Sequence, residues 1–285
     1  MRHHYVPQFL LSPWAEGSAD GKVEVFRLDL PSIKSSRHTT KYTGFDDDLY
    51  ALTKDVVAGM EKQAVEKRFL MNVDNRAAVA RDKLDSQGLK SLTNEEKVDW
   101  ARFLMSLRIR QPETVQLLRN DATEHLRESL NENPNEYDEL KPEGEEETLE
   151  EWTERQYPGL TENFGLSFFH ELIDNPYYGN RILRMRWWVW DFTGVPYELL
   201  LSDHPCVFTH GIDNAKCIIA LPISPTKAFL ATQDDNVADI LRRSKPRELV
   251  VRLNESALVQ TRVRIYARYQ SPAMRFIENR RRMRR

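Results

Sequence analysis

Over residues 22–29, "KVEVFRLD", Val23 and Val25 alternate with polar neighbours, the period-two pattern of a half-buried strand. The next stretch, "LPSIKSSRHTTKYTGF", shows no apolar period and reads as a polar loop. From Asp46 the spacing changes. Val57, Met60, Ala64, Phe69, Val73 and Ala77 recur at helical intervals through "DDDLYALTKDVVAGMEKQAVEKRFLMNVDNRAAVARDKL". A second long helical region opens at "SLTNEEKVDW". There Thr93 and Glu96 have capping-box spacing, so each side chain can satisfy an orphan backbone donor of the first turn. Pro112 has no N–H and predicts a break near Arg110. "NENPNEYDELKPEGEEETLEEWTE" is strongly acidic and poor in apolar residues, as expected of a solvated insertion.

The second half carries strand-like runs. "ILRMRWWVWDFTGVPYELLLSDHPCVF" splits at Thr193-Gly194-Val195-Pro196 and suggests a hairpin. "AKCIIALPIS" and "KAFLATQ" suggest two more strands, divided at Ser224-Pro225. "ELVVRLN" follows, "ESALVQTRVRIYARY" reads as a helix or a helix–strand mixture, and the basic "NRRRMRR" as a frayed tail. The expectation is an α+β fold, a mostly antiparallel sheet with a long inserted helical region. It is a single domain over 1–285: strands and loop in 1–50, helices in 51–180 with the acidic insertion near 131–155, sheet in 181–270, and a basic tail in 271–285.

Composition narrows the function classes. With 285 residues, 40% hydrophobic and six tryptophans, the chain can bury a substantial core. A net charge of −3 gives no global attraction to nucleic acid or membrane, so such a partner would need a local basic patch. Arg242, Arg243, Lys245, Arg247 and the C-terminal arginines are candidates for a nucleic-acid partner. Cys206 and Cys217 have no metal-type spacing and suit a reducing, cytoplasmic compartment. The opening residues lack the pattern of a signal peptide, and no apolar run approaches the roughly 20 residues that span a bilayer. A Gly-rich phosphate loop, HExxH, GxSxG and a zinc-binding cysteine set are all missing.

Several strings occur together and in order: "HHYVPQFLL", "DLYALT", "VEKRFLMNVDNRAAVARDKL", "FLMSLRIRQPE", "LLSDHP", "LPISP" and "RLNESALVQTRVRIYAR". In these the chain resembles a bacterial family of unknown function, domain-of-unknown-function family 4238, marked by the HHYVPQF start. The resemblance runs from residue 3 to about 269 and implies no known activity. It implies a set of polar positions: His3, His4, Gln8, Glu66, Asp74, Arg110, Asp203 and Asn254. Two departures stand out, His204 where the family more often has Asn, and "FLLSPW" where an aromatic and a basic residue are common.

Each position admits a functional and a structural reading. Adjacent strand residues point to opposite faces, so at most one of His3 and His4 can address a given site, as general base or ligand; the alternative is a histidine held by a backbone group. Glu66 and Asp74, eight residues apart on a helix, fall about 80° apart and share a side. Buried there, they need Arg110, a histidine or a cation as partner. Arg110 can grip a phosphate or close an internal ion pair. Asp203 ends a strand, where it can act at a site or bond its own turn. Asn254 can contact substrate or cap a helix. His170, in "FFHELI", reads as a core or interface histidine, and Trp187, Trp188 and Trp190 as fillers of both faces of a strand.

Two functions follow. In one, His3, His4, Gln8 and Asp203 are catalytic, Glu66, Asp74 and Asp203 hold Mg²⁺ or Mn²⁺, and Arg110 and Asn254 bind substrate, giving a nuclease-like phosphodiester hydrolase. In the other the same residues form a buried structural network in a non-catalytic binding or regulatory module.

Overall fold

The structure is a computed structural model that describes residues 1–18, 20–53, 61–132, 134–142 and 144–283. In chain order the elements are β1 (Arg2–His4), α1 (Gln8–Ala15), β2 (Val23–Arg27), β3 (Lys34–His38), β4 (Phe45–Asp47), α2 (Met71–Ser86), α3 (Asn94–Ile109), α4 (Pro112–Asn131), α5 (Pro134–Leu140), α6 (Leu149–Gln156), α7 (Leu160–Ile173), α8 (Pro176–Arg184), β5 (Arg186–Asp191), β6 (Leu201–Ser202), β7 (Val207–Phe208), β8 (Ile218–Ser224), β9 (Lys227–Thr232), α9 (Asp235–Arg243), α10 (Pro246–Gln260), β10 (Arg264–Ala267) and α11 (Gln270–Met283). A π-helical turn, Val65–Leu70, runs into α2. The class is α+β, with antiparallel sheets and a long helical region. No described helix is long and apolar enough to cross a membrane.

The chain groups into two compact units. The helical unit holds Met1–His3, Asp46–Asn72 and Ile109–Asp174; the sheet unit holds His4–Phe45, Val73–Arg108 and Asn175–Arg285.

In the sheet unit two four-stranded antiparallel sheets are ordered β3-β2-β10-β6 and β5-β9-β8-β7. Strand alternation sorts the first sheet. Phe26 pairs with Ile265 and joins Ala257, Ala273 and Ile277 of α10 and α11 in one apolar cluster. The intervening Val25 and Tyr266 point to the other face. Helix α1 packs on β2 and β10 of this sheet and on β8 of the second. Its Leu10, Leu11 and Trp14 are fully buried, and the Trp14 indole N–H donates to the Leu199 carbonyl at 2.8 Å. The opening motif therefore supplies the helix that both sheets share. On the second sheet, Trp100 of α3 meets the Phe229 ring edge-on at 5.6 Å.

The helical unit is built on α4 and α7. Gly165 lets them touch: a Cβ there would stand 2.2 Å from the Leu118 carbonyl oxygen. Around this contact Tyr50, Leu70, Val115, Leu166, Phe169 and Ile173 form the core.

The capping box at Thr93 and Glu96 forms in both directions, at 2.9 and 3.2 Å. Helix α3 ends at Ile109 and α4 begins at Pro112, whose missing N–H costs nothing in a first turn. Other expectations change. The helix expected from Asp46 is at first strand and turn, and Val57 and Met60 lie outside the described residues. The polar loop contains β3, an edge strand whose polar side chains face water. The acidic stretch is exposed as expected, yet carries α5 and α6. Thr148 and Glu151 supply the capping box of α6. Thr193-Gly194-Val195-Pro196 is a turn but not a hairpin, because β5 pairs with β9 while β6 joins β10 in the other sheet. "ELVVRLN" is the middle of α10, and α11 runs through most of the basic tail.

Gly165→Ala should cost at least about 2 kcal/mol, because the methyl overlaps backbone that no rotamer can move. Urea unfolding followed by circular dichroism measures it; an unchanged midpoint would refute the close approach of α4 and α7.

Candidate functional site

His3 is fully buried in the helical unit with both ring nitrogens engaged. The Tyr50 backbone N–H donates to Nδ1 at 2.8 Å, so Nδ1 carries no proton. Nε2 then holds the proton and shares it with the Gln63 side-chain oxygen. The imidazole also stacks on the Tyr50 ring, 5.2 Å between centroids and 7° between planes. Burial lowers the His3 pKa below the usual 6.5, against the opposing pull of the Gln63 hydrogen bond. Gln63 passes the network on by donating to Asp48 at 3.0 Å. Asp48 also receives the Met1 ammonium at 2.7 Å, and those two hydrogen bonds hold its pKa at about 2. The neutral His3 is thus a structural post for the 48–50 backbone.

Arg110 is fully buried, and its carbonyl accepts the Tyr50 hydroxyl at 2.7 Å. A guanidinium with no exposure cannot receive a phosphate from solvent without rearrangement, so burial favours the internal role. Glu66 is half-buried within the π-helical turn. A π turn is wider than an α turn, so the wheel that placed Glu66 and Asp74 on one side does not apply across it.

The other predicted residues belong to the sheet unit. His4 is half-buried, its ring tilted on Phe45 at 5.6 Å. Gln8 is exposed at the start of α1, and Asp74 is half-buried on α2. Asp203 is buried and accepts three backbone N–H groups, from Arg262 at 3.0 Å, Val263 at 2.7 Å and Arg264 at 2.8 Å. His204 Nδ1 lies 3.2 Å from the same carboxylate. Burial pushes the Asp203 pKa up, but the His204 bond and the three N–H groups outweigh it, leaving the carboxyl below its ordinary range. The turn reading was right about the bonding and wrong about its reach, since these donors lie about 60 residues away.

Asn254 does not cap a helix. It sits inside α10, buried, accepting the Leu200 N–H at 2.8 Å and donating to the Glu198 carbonyl at 2.9 Å. The amide replaces a missing strand partner for irregular backbone. Asp203 and Asn254 thus fasten one seam, residues 198–204 against 254–264. Among the described residues, no group of three or more His, Cys, Asp or Glu side chains is placed to hold a metal ion, so no such set forms from Glu66, Asp74 and Asp203.

The helical unit also contains an apolar cavity of about 250 Å³ beside the π-helical turn. Val65, Phe69, Phe164 and Phe169 wall it, with the exposed Arg68, Ser167 and His170 at its mouth. His170, expected in a core or an interface, is exposed and pairs with Asp174 at 3.1 Å.

A family profile matches residues 2–271: that of DUF4238, proteins of unknown function. The chain belongs to this family. The matched span covers most of both units and all eight polar positions. No curated protein and no solved structure matches the chain. In this DUF4238 protein, three of those positions, His3, Asp203 and Asn254, hold backbone in place. Sequence reasoning missed Asn163, whose buried side chain makes four hydrogen bonds, three with Thr53 and one to the Gly159 carbonyl. Its only signal was a polar residue between Leu160 and Leu166. Tyr5, whose phenol meets the Arg264 guanidinium, sits inside the HHYVPQF motif and had a better signal.

Asp203→Asn should destabilise the protein by about 3 kcal/mol, because an amide nitrogen turns a donor toward backbone donors. Guanidinium unfolding read by tryptophan fluorescence tests this; a loss below 1 kcal/mol would sink it. Acid is expected to act in two windows. The lowered His3 pKa gives stability that is full above pH 6.5 and declines below it, by at most about 1.4 kcal/mol per pH unit. The lowered Asp203 pKa gives stability that is full above pH 3.8 and lost as pH falls through the folded value. In melts recorded against pH, His3→Gln should flatten the upper window alone.

Proposed function

We propose that this protein is a non-catalytic binding or regulatory module, and that its recurring polar residues serve as a buried structural network. One observation carries the reading: the Asp203 carboxylate is filled by three backbone N–H groups from residues 262–264. A metal ligand or general base needs a lone pair open to its target, and this carboxylate is spent on the fold. Two further groups support it. The His3 nitrogens are both engaged, and the Asn254 amide bonds backbone at both ends.

Basic groups are also partly used within the protein. Arg281 donates to the Leu28 and Leu30 carbonyls, Arg280 pairs with Glu255 at 2.7 Å, and Arg247 lies over the Tyr197 ring. That leaves fewer cations to track a nucleic-acid backbone. Cys206 and Cys217 are buried free thiols whose pKa burial raises, which suits a cytoplasmic setting.

The competing hydrolase reading makes the opposite prediction in one assay. Labelled RNA and DNA, incubated with the full chain and Mg²⁺, Mn²⁺ or chelator, should remain intact. Cutting by wild type that is lost in both His3→Gln and Asp203→Asn, with the folded fraction of each variant verified, would overturn the proposal.

A further inference from the structure

We propose that the apolar cavity of the helical unit binds a small anionic amphiphile, a molecule with an aliphatic or aromatic body and one acidic head. The inference rests on the binding-module reading and gives it a ligand class.

Size comes first. An apolar cavity of 150 Å³ takes up benzene, so about 250 Å³ accepts a fused pair of rings or a chain of about eight carbons. The walls give the chemistry of the body. Val65, Phe69, Phe164 and Phe169 offer carbon, and the His170 ring lies 5.1 Å from that of Phe69. Such a body gains by leaving water for these walls, offset in part by the freedom lost on association.

The mouth gives the chemistry of the head. Arg68 is the only charged residue, and no carboxylate is found, among the described residues that line the cavity. Glu61 stands 3.6 Å from Arg68 and is shared with Lys67 at 4.0 Å, long contacts between exposed side chains that an incoming carboxylate can displace. A guanidinium at the edge of an apolar hole selects a carboxylate or similar oxyanion by charge-assisted hydrogen bonds.

The backbone adds an independent observation. Arg68, Val65 and Phe69 all come from the π-helical turn Val65–Leu70. Such turns are rare and are found frequently at functional sites, because the widened turn re-aims its side chains. Here it directs one cationic and two apolar side chains to the same cavity.

Isothermal titration of the full chain with octanoate, 2-naphthoate and octanol tests the proposal. At least one of the two acids should bind with a submillimolar Kd, and the tighter one identifies the body as aliphatic or aromatic. Arg68→Gln, a change at an exposed residue, should weaken the acids about tenfold and leave octanol unchanged. Ser167→Trp should close the mouth and abolish binding of all three, with an unchanged melting temperature. Failure of both acids to bind at 10 mM, or binding indifferent to Ser167→Trp, or equal effects of Arg68→Gln on acid and alcohol, overturns the ligand class. These outcomes leave the nuclease assay untouched, while cutting of nucleic acid overturns the non-catalytic reading whatever the titration shows.

Discussion

A polar group taken out of water must be given a partner, and much of this structure is organised by that requirement. The Asp203 carboxylate, the Asn254 amide, the Asn163 amide and the His3 ring are all buried, and each is satisfied largely by main chain. Their partners lie largely outside the ladders: residues 262 and 263 with Arg264 at the start of β10, residues 198–200 before β6, Thr53, and Tyr50. A buried side chain that replaces missing ladder bonds lets irregular backbone pass through the interior, at the cost of making that side chain indispensable.

The same requirement accounts for the character of the two units. In the sheet unit, α1 supplies apolar surface to both sheets, while Asp203 and Asn254 fasten the seam along which β6 joins β10. In the helical unit, Gly165 brings α4 against α7, and Asn163, two residues earlier in α7, holds Thr53. The cavity beside the π-helical turn is different in kind. Its walls are apolar and its cation stands at the rim, so filling it requires no buried polar partner. Structural polarity and the proposed binding chemistry meet only at Asn163, which lines the cavity while its amide is engaged with Thr53 and Gly159.

What was legible in the sequence followed from short-range rules. The Thr93–Glu96 box, the break at Pro112, the strand at 23–27 and the paired strands around Ser224-Pro225 each depend on residues a few positions apart. Local rules failed where a distant partner decided the outcome. Edge strand β3 has no apolar face, so it shows no period; it exists because β2 offers a ladder. The Thr193–Pro196 turn looked like a hairpin because two strand-like runs flank it, but β5 pairs with β9, where Trp187 meets Phe229 edge-on at 5.1 Å.

The sequence by itself determined the family, the α+β class, the helix boundaries set by caps and prolines, and the set of polar positions worth following. It could not say what those positions do, since a carboxylate that binds metal and one that binds three backbone N–H groups are the same letter in the chain. Only the tertiary structure brought residues 262–264 to Asp203, Glu198 and Leu200 to Asn254, and Tyr50 and Gln63 to His3. The physical reason is that satisfaction of a buried polar group depends on which distant backbone arrives beside it, and arrival is set by the packing of the whole unit.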